Sequence, residues 1–378
     1  MSSQLLESDR ASALERFRTT GTGREKPSRY WKFDLETLDV PMPSGTPGGS
    51  VEIDAPAGRI VACDLQTAQR DHAALLERAF GKAIVPSMKF AHLARAFTHL
   101  GAFVYIPRDC ASDDPVVIRY RSAGSSSIFP HTVVFAERGA RATVVEHLDV
   151  DGDSFVCGIA EIVTDESADV TYAAPQLASE STRILFTRAA LPGRDARVTW
   201  ATADLGASLS VADIAVIAEQ PGIEAHVASL FFPGGSQHVD IVSTVDHRVG
   251  ETTSETVVKA AATGAGQGRY LGNIRIAARA QQTQASLRDD ALLLSKRAHI
   301  DSIPALEIAA NDVKAFHGAT VGALDDDAIF YMTSRGVDRA AAERMIALGF
   351  FEPVIERFPS ESLRETLREA LQRKVEPA

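Results

Sequence analysis

Hydrophobic and polar positions divide the chain into three textures. Up to about residue 100 the pattern is mostly helical: residues 8–17 and 67–80 carry Leu, Ala, Glu and Arg at helical spacing. Residues 26–57 between them are rich in Pro, Gly and Ser, which is loop chemistry, and Tyr30, Trp31 and Phe33 at its start are expected to pin the loop to a core. From Ala102 to about Arg279 the helical period disappears. Short Val/Ile/Thr/Phe runs alternate with Gly, Asp, Ser and Pro turns, which predicts many short strands, including 116–120, 132–136, 143–146, 214–218 and 239–245. After Ala305 the pattern reads as helical again. Ala342, Met345, Ile346, Gly349 and Phe350 share one helical face, with Asp338 as N-cap and Pro353 as a stop or kink. Ser362 and Glu365 have capping-box spacing, and Leu363, Leu367, Ala370 and Leu371 make a second apolar stripe.

A weak repeat runs through the strand-rich region. The string Ala-Arg-Ala-Thr-Val at 140–144 recurs as Ala-Asp-Val-Thr-Tyr at 168–172 and Ala-Arg-Val-Thr-Trp at 196–200, with a looser copy, Ile-Glu-Ala-His-Val, at 223–227. The starts are 28, 28 and 27 residues apart, and each copy follows a turn residue: Gly139, Ser167, Asp195 or Gly222. A fixed period of this size marks a solenoid whose units bury their apolar faces on one another, and a unit this short without a helix fits one coil of a β-helix.

Composition narrows the function. The 378 residues carry a net charge of −11 and no run of apolar residues long enough to span a membrane. Sequence-independent nucleic-acid binding and anionic membranes both favour clustered Lys and Arg, so neither is expected as a partner. The first ten residues lack an apolar signal core, which predicts a cytoplasmic protein. Cys63, Cys110 and Cys157 are far apart and odd in number, which excludes a disulfide scaffold, a zinc ribbon and an all-thiolate iron–sulfur site within the chain. No Walker A loop, nucleophile elbow, HExxH or dinucleotide fingerprint is present. Gly264 to Gly268 reads as a tight turn, Asp325 to Asp327 as solvated carboxylates, and His238 and His247 as hydrogen-bonded histidines.

The run Asn-Asp-Val-Lys-Ala-Phe-His-Gly-Ala-Thr-Val-Gly at 311–322 resembles the signature of the SufD branch of the SufB/SufD family, which belongs to the SUF iron–sulfur cluster assembly system. Ala-Gln-Gln-Thr-Gln-Ala at 280–285, Leu-Leu-Leu-Ser at 292–295, Pro-Ala-Leu-Glu-Ile at 304–308 and Ile-Phe-Tyr-Met-Thr-Ser-Arg-Gly at 329–336 resemble neighbouring family motifs. Gln237, His238 and Asp240, Asp246 with His247, and 129–146 also fit. The resemblance covers the last two-thirds of the chain well, and His317 with its Gly-Ala-Thr-Val-Gly tail resembles SufD rather than SufB. It departs at Ala315, where the family often has Cys, and at Phe316, where a small Ser is common, so no thiolate is offered there.

The resemblance implies a right-handed parallel β-helix core flanked by helical N- and C-terminal domains. The corresponding division is 1–100, 101–310, and 311–378 for the end of the core and the C-terminal helices. It implies a non-enzymatic scaffold that pairs with SufB through the β-helix and binds the ATPase SufC through the C-terminal helices. No tightly bound cofactor is implied, only a transient iron–sulfur cluster or iron at the SufB interface, with His317 as candidate ligand. Lys314, Ala315, Phe316, His317 and Thr320 are the implied SufB-facing residues, and Arg335, Met345, Phe350 and Phe351 the SufC-facing ones. Phe350 and Phe351 are adjacent, so one should pack inward and the other should serve a partner. The alternatives are a SufB-like scaffold that forms a homodimer when isolated, and a β-solenoid lyase or acyltransferase.

Overall fold

A computed structural model describes residues 5–20, 48–122 and 124–375. The aromatic loop at Tyr30, Trp31 and Phe33 lies outside them. Two sheets wind through the molecule. One holds β1 (Ser50–Asp54), β4 (Val116–Ser122), β7 (Arg141–Val150), β9 (Asp169–Gln176), β11 (Arg197–Asp204), β13 (Glu224–Phe231), β15 (Thr253–Ala262), β17 (Thr283–Leu293) and β19 (Val313–Gly322), in that order. The other runs from β2 (Val61–Asp64) through β3 (Leu100–Ile106), β6 (Pro130–Ala136), β8 (Phe155–Thr164), β10 (Arg183–Leu191), β12 (Leu209–Ala218), β14 (His238–His247) and β16 (Gln267–Ile276) to β18 (His299–Ile308), with β5 (Ser127–Ile128) beside β8. Apart from β1 with β4 and β2 with β3 every pairing is parallel, and from β6 onward successive strands alternate between the sheets, which makes a solenoid of about eight turns.

The repeat read from the sequence is the stacking register of this solenoid. Arg141 pairs with Asp169, Asp169 with Arg197, and Arg197 with Glu224. Alternation sends Tyr172 and Trp200 into the lumen, where both are fully buried with ring centroids 5.0 Å apart, and sends Ala173 and Ala201 to the outer face. The turn residues before the repeats also stack. Gly139, Ser167, Asp195 and Gly222 all have positive φ, and each amide donates to the carbonyl of the next coil's turn. At Gly222 a Cβ would meet the Asp195 carboxylate on top of the positive φ, so a larger residue there would have to displace that side chain.

Helices cover both outer faces. α1 (Leu5–Thr19), α2 (Leu65–Asp71), α3 (Ala73–Ala79) and α4 (Lys89–Phe97) lie at the N-terminal end, and α4 packs on β8 and β10 through Phe90, Leu93 and Ala94. The helix expected over 67–80 is two short ones, broken at His72, with Asp64 capping the first. At the other end lie α5 (Asp326–Ser334), α6 (Arg339–Ile355) and α7 (Glu361–Val375). Phe351, Val354, Ile355, Leu363, Leu367 and Leu371 pack on the outer face of the first sheet against Ala201, Leu230 and Phe232.

Several sequence expectations need correction. Residues 283–322 are strands, so the solenoid continues well past Arg279, and helix begins only at Asp326. The buried face of α6 is Ala342, Ala347, Phe351, Val354 and Ile355. Met345 and Gly349 lie on the opposite side, because the sheet supplies its apolar surface where Ala347 and Phe351 point. Pro353 sits in the last turn and α6 continues to Ile355. Asp338 does cap α6, accepting from Ala340 N at 3.0 Å. The cap of α7 is Ser360, whose Oγ accepts from Leu363 N at 3.3 Å, rather than Ser362. Asp325 caps α5. His238 and His247 stand at opposite ends of β14; His247 is buried between Thr252 and Ser254 hydroxyls at 2.7 and 2.9 Å.

Candidate scaffold interface

The two ends of the solenoid are finished differently. At the N-terminal end β1 and β2 run antiparallel to their neighbours and cap β4 and β3. At the C-terminal end β18 and β19 are the last strands of their sheets and pair on one side only. A solenoid end without a cap presents unpaired backbone groups and an unstacked core layer, which is a ready surface for another chain.

His317 belongs to that core layer. Register places Val144, Tyr172, Trp200, Val227, Thr256, Leu287 and His317 in one lumen-facing column. The first six are buried; His317 is exposed, because no coil lies above it. The same holds for Val321, 44% exposed over buried Ala291, and Ile308, 41% exposed over buried Ile276. Ala315 is half-buried over Ala285. Lys314, Phe316 and Thr320 alternate with these and point to the outer face, where Phe316 is 59% exposed.

One coil below the rim stands Asp289, in register with Ala319 and fully buried. Ser302 Oγ donates to its Oδ2, and Oδ1 has no hydrogen-bond partner. Burial pushes its carboxyl up to about 7, against the opposing Ser302 hydrogen bond. The folded chain therefore holds this proton more tightly than the unfolded chain, and stability falls as pH rises from about 4 through about 7. Asp289→Asn is expected to match the wild-type melting temperature below about pH 4, where the carboxyl is protonated in both states, and to exceed it by a few degrees at pH 8. Parallel melting curves across that range would refute the assignment.

On the outer face Thr320 donates to Asp290 Oδ1 at 2.7 Å, and Lys259 Nζ donates to Asp290 Oδ2 at 2.8 Å. Burial works against ionisation of Asp290, but these two hydrogen bonds prevail and hold it below its usual range. The same ammonium lies 4.5 Å from the Phe350 ring of α6, so polar contacts connect the rim strand to the C-terminal helices.

The residues expected to meet a helix-bound partner separate clearly. Phe351 is buried, with its ring 6.0 Å from that of Phe232, and Phe350 is half-buried against Lys259. Met345 is 56% exposed, and Arg335 is exposed with its guanidinium 5.2 Å from the Tyr331 ring. Sequence reasoning missed Phe330 and Tyr331, which are 72% and 61% exposed on α5. The signal was available: α5 carries Ile329, Phe330, Tyr331 and Met332 in succession, and a helix in contact on one side cannot bury four consecutive apolar residues.

No cysteine lies near the rim. Cys157 is buried beneath α4, and Cys63 and Cys110 belong to the N-terminal end. Burial raises the Cys63 thiol to about 11. Among the described residues no three His, Cys, Asp or Glu side chains converge as a metal site. Among the described residues the end strands thus offer two imidazoles, His317 and His299, the latter held by Asp301 Oδ1 at 3.1 Å, and no thiolate.

A sequence model described as SUF system FeS cluster assembly, SufBD core domain, matches residues 118–350, more than half of the chain. The chain belongs to the SufBD family. The matched SufBD core spans the solenoid from β4 through β19 and continues into α5 and α6. Among curated SufBD proteins, the iron–sulfur cluster assembly protein SufD of Bacillus subtilis is 28% identical over 324 residues, covering 84% of this chain and 74% of that protein. An iron–sulfur cluster assembly SufBD family protein of Staphylococcus saprophyticus is 26% identical over 308 residues, covering 80% of this chain and 66% of that one. The SufBD chain described here therefore spans about two-thirds to three-quarters of the length of these relatives. Among the described residues no helix is long and apolar enough to cross a membrane.

Proposed function

We propose that this SufBD protein is the SufD-type, non-catalytic scaffold subunit of a cytoplasmic SUF assembly complex. It pairs with a SufB-type subunit through the uncapped β18–β19 end and binds the SufC-type ATPase through α5 and α6. The observation that carries the reading is the uncapped core layer: Ile308, His317 and Val321 occupy lumen positions that are buried in the coils beneath them and exposed here. A second solenoid docked on this end would bury them and pair both free strand edges.

In that assembly His317 is the group this chain brings to a nascent cluster, and SufB brings the thiolates. Neutral imidazole ligates iron, so His317→Ala is expected to leave folding and pairing intact and to lower iron–sulfur loading of the reconstituted complex by roughly tenfold or more. His317→Cys should recover part of that loading, since thiolate also ligates iron. Loading is read by cluster absorbance and iron content, and pairing by size-exclusion chromatography of the chain with and without SufB. Wild-type loading by His317→Ala would remove the ligand role. A chain that elutes as a tight homodimer and ignores SufB would instead point to the SufB-like reading.

A further inference from the structure

A cleft of about 630 Å³ opens between the C-terminal helices and the turns of the solenoid, with Leu324, just past β19, in its wall. Its floor is the glycine turns at Gly234, Gly235 and Gly264, where Ala265 N donates to Gly235 O at 2.7 Å and the Lys374 ammonium lies close above Gly234. Positive φ at Gly235 and Gly264 makes these turns dependent on glycine.

Three cations line this cleft in a protein of net charge −11. Lys374, at the end of α7, is largely buried. Its ammonium donates to Gln237 Oε1 at 2.6 Å and lies 5.6 Å from the Phe232 ring, and among the described residues it has no ion-pair partner. An ammonium has three protons to donate, so two remain for the cleft. Burial lowers its affinity for a proton to about 8, with Glu180 acting weakly against this. Arg344 of α6 and Arg373 of α7 likewise make no ion pair among the described residues. Of the two carboxylates in the wall, Glu343 is engaged by Arg339 at 2.9 Å, which leaves Glu180.

We propose that this cleft binds the diphosphate group of a nucleotide-sized small molecule. Guanidinium forks and a point-charge ammonium suit phosphoryl oxygens, and the volume lies within the range of small-molecule sites. The proposal does not rest on the scaffold reading, although the cleft shares α6 with the face offered there to the ATPase. Occupation would clamp α6 and α7 onto the solenoid turns, since the cations come from the helices and the glycine turns from the coils.

The test uses the full chain and inorganic pyrophosphate, with ADP, citrate and potassium chloride at matched ionic strength in parallel. Calorimetry is expected to show saturable pyrophosphate binding, and ADP at least as strong. Lys374→Met and Arg344→Gln should each weaken both by roughly tenfold, about 1.4 kcal/mol, and Lys374→Arg should retain them. Circular dichroism and melting in the absence of ligand confirm that each variant is folded. Arg344→Gln, on a half-exposed helix face, keeps the test decisive if Lys374→Met unfolds. No binding, equal protection by chloride, tighter binding of citrate than of pyrophosphate, or undiminished binding by Arg344→Gln would each overturn the proposal.

Discussion

Replacing Phe330 and Tyr331 together with glutamate is expected to abolish binding of the SufC-type ATPase without disturbing the fold. Both rings stand out from α5, 72% and 61% exposed, while Ile329 beside them is buried and anchors the helix. Aromatic side chains this exposed cost nothing to the isolated fold when replaced, but each is worth about 1.5–3 kcal/mol when buried at an interface. Removing two and placing carboxylates in a desolvated contact should weaken binding at least ~100-fold, measurable by calorimetry or biolayer interferometry. Met345→Glu on the adjoining helix should act in the same direction. Unchanged affinity in the double variant would place the ATPase elsewhere. Deleting α6 and α7 is not an equivalent test. Those helices cover Ala201, Leu230 and Phe232 on the first sheet, and their loss would uncover an apolar sheet face that aggregates regardless of function.

Trp200→Ala is the core substitution with the largest expected cost, about 3–5 kcal/mol in urea denaturation. Trp200 is fully buried at the centre of the lumen column, between Tyr172 in the coil below and Val227 in the coil above. Coils stacked in register cannot collapse inward independently, so the cavity would persist. The indole Nε1 has no hydrogen-bond partner, so the loss comes from packing alone, and Trp200→Phe should recover much of it. A cost below about 1 kcal/mol would show that the lumen is not packed as described.

The repeat at 140, 168, 196 and 223 was legible because those coils are 27 or 28 residues long and their lumen residues follow one pattern. Later coils hid themselves. Pairing of Glu224 with Thr253, Thr253 with Gln284 and Gln284 with Lys314 gives spacings of 29, 31 and 30 residues. Extra turn residues change the period while leaving the stacking intact, so a search for a constant offset stops one coil after Trp200. The pattern reading stopped near Arg279 for that reason, and β17 to β19 were reached only through the family resemblance, which placed 101–310 and the start of 311–378 in the core. Their composition misled as well: Thr283–Leu293 carries Arg288, Asp289 and Asp290 in succession, a run that alternation divides between lumen and surface only once the strand is formed.

The coil, its turns and the family are all legible in the order of the residues alone. Alternation, the positive-φ turn positions and the 311–322 motif are local properties that each stretch of chain carries with it. The caps at Asp338 and the stripe of α7 were equally local. Which apolar residues have something above them emerges only when the coils are stacked and the helices docked. His317 and Leu287 occupy the same column and differ in exposure solely because the solenoid stops at β19. Phe351 is buried and Phe330 exposed because the first sheet offers an apolar face to one helix and not to the other. Burial is a relation between distant segments, whereas periodicity belongs to one segment, and the proposed interfaces and the cationic cleft all arise from that relation.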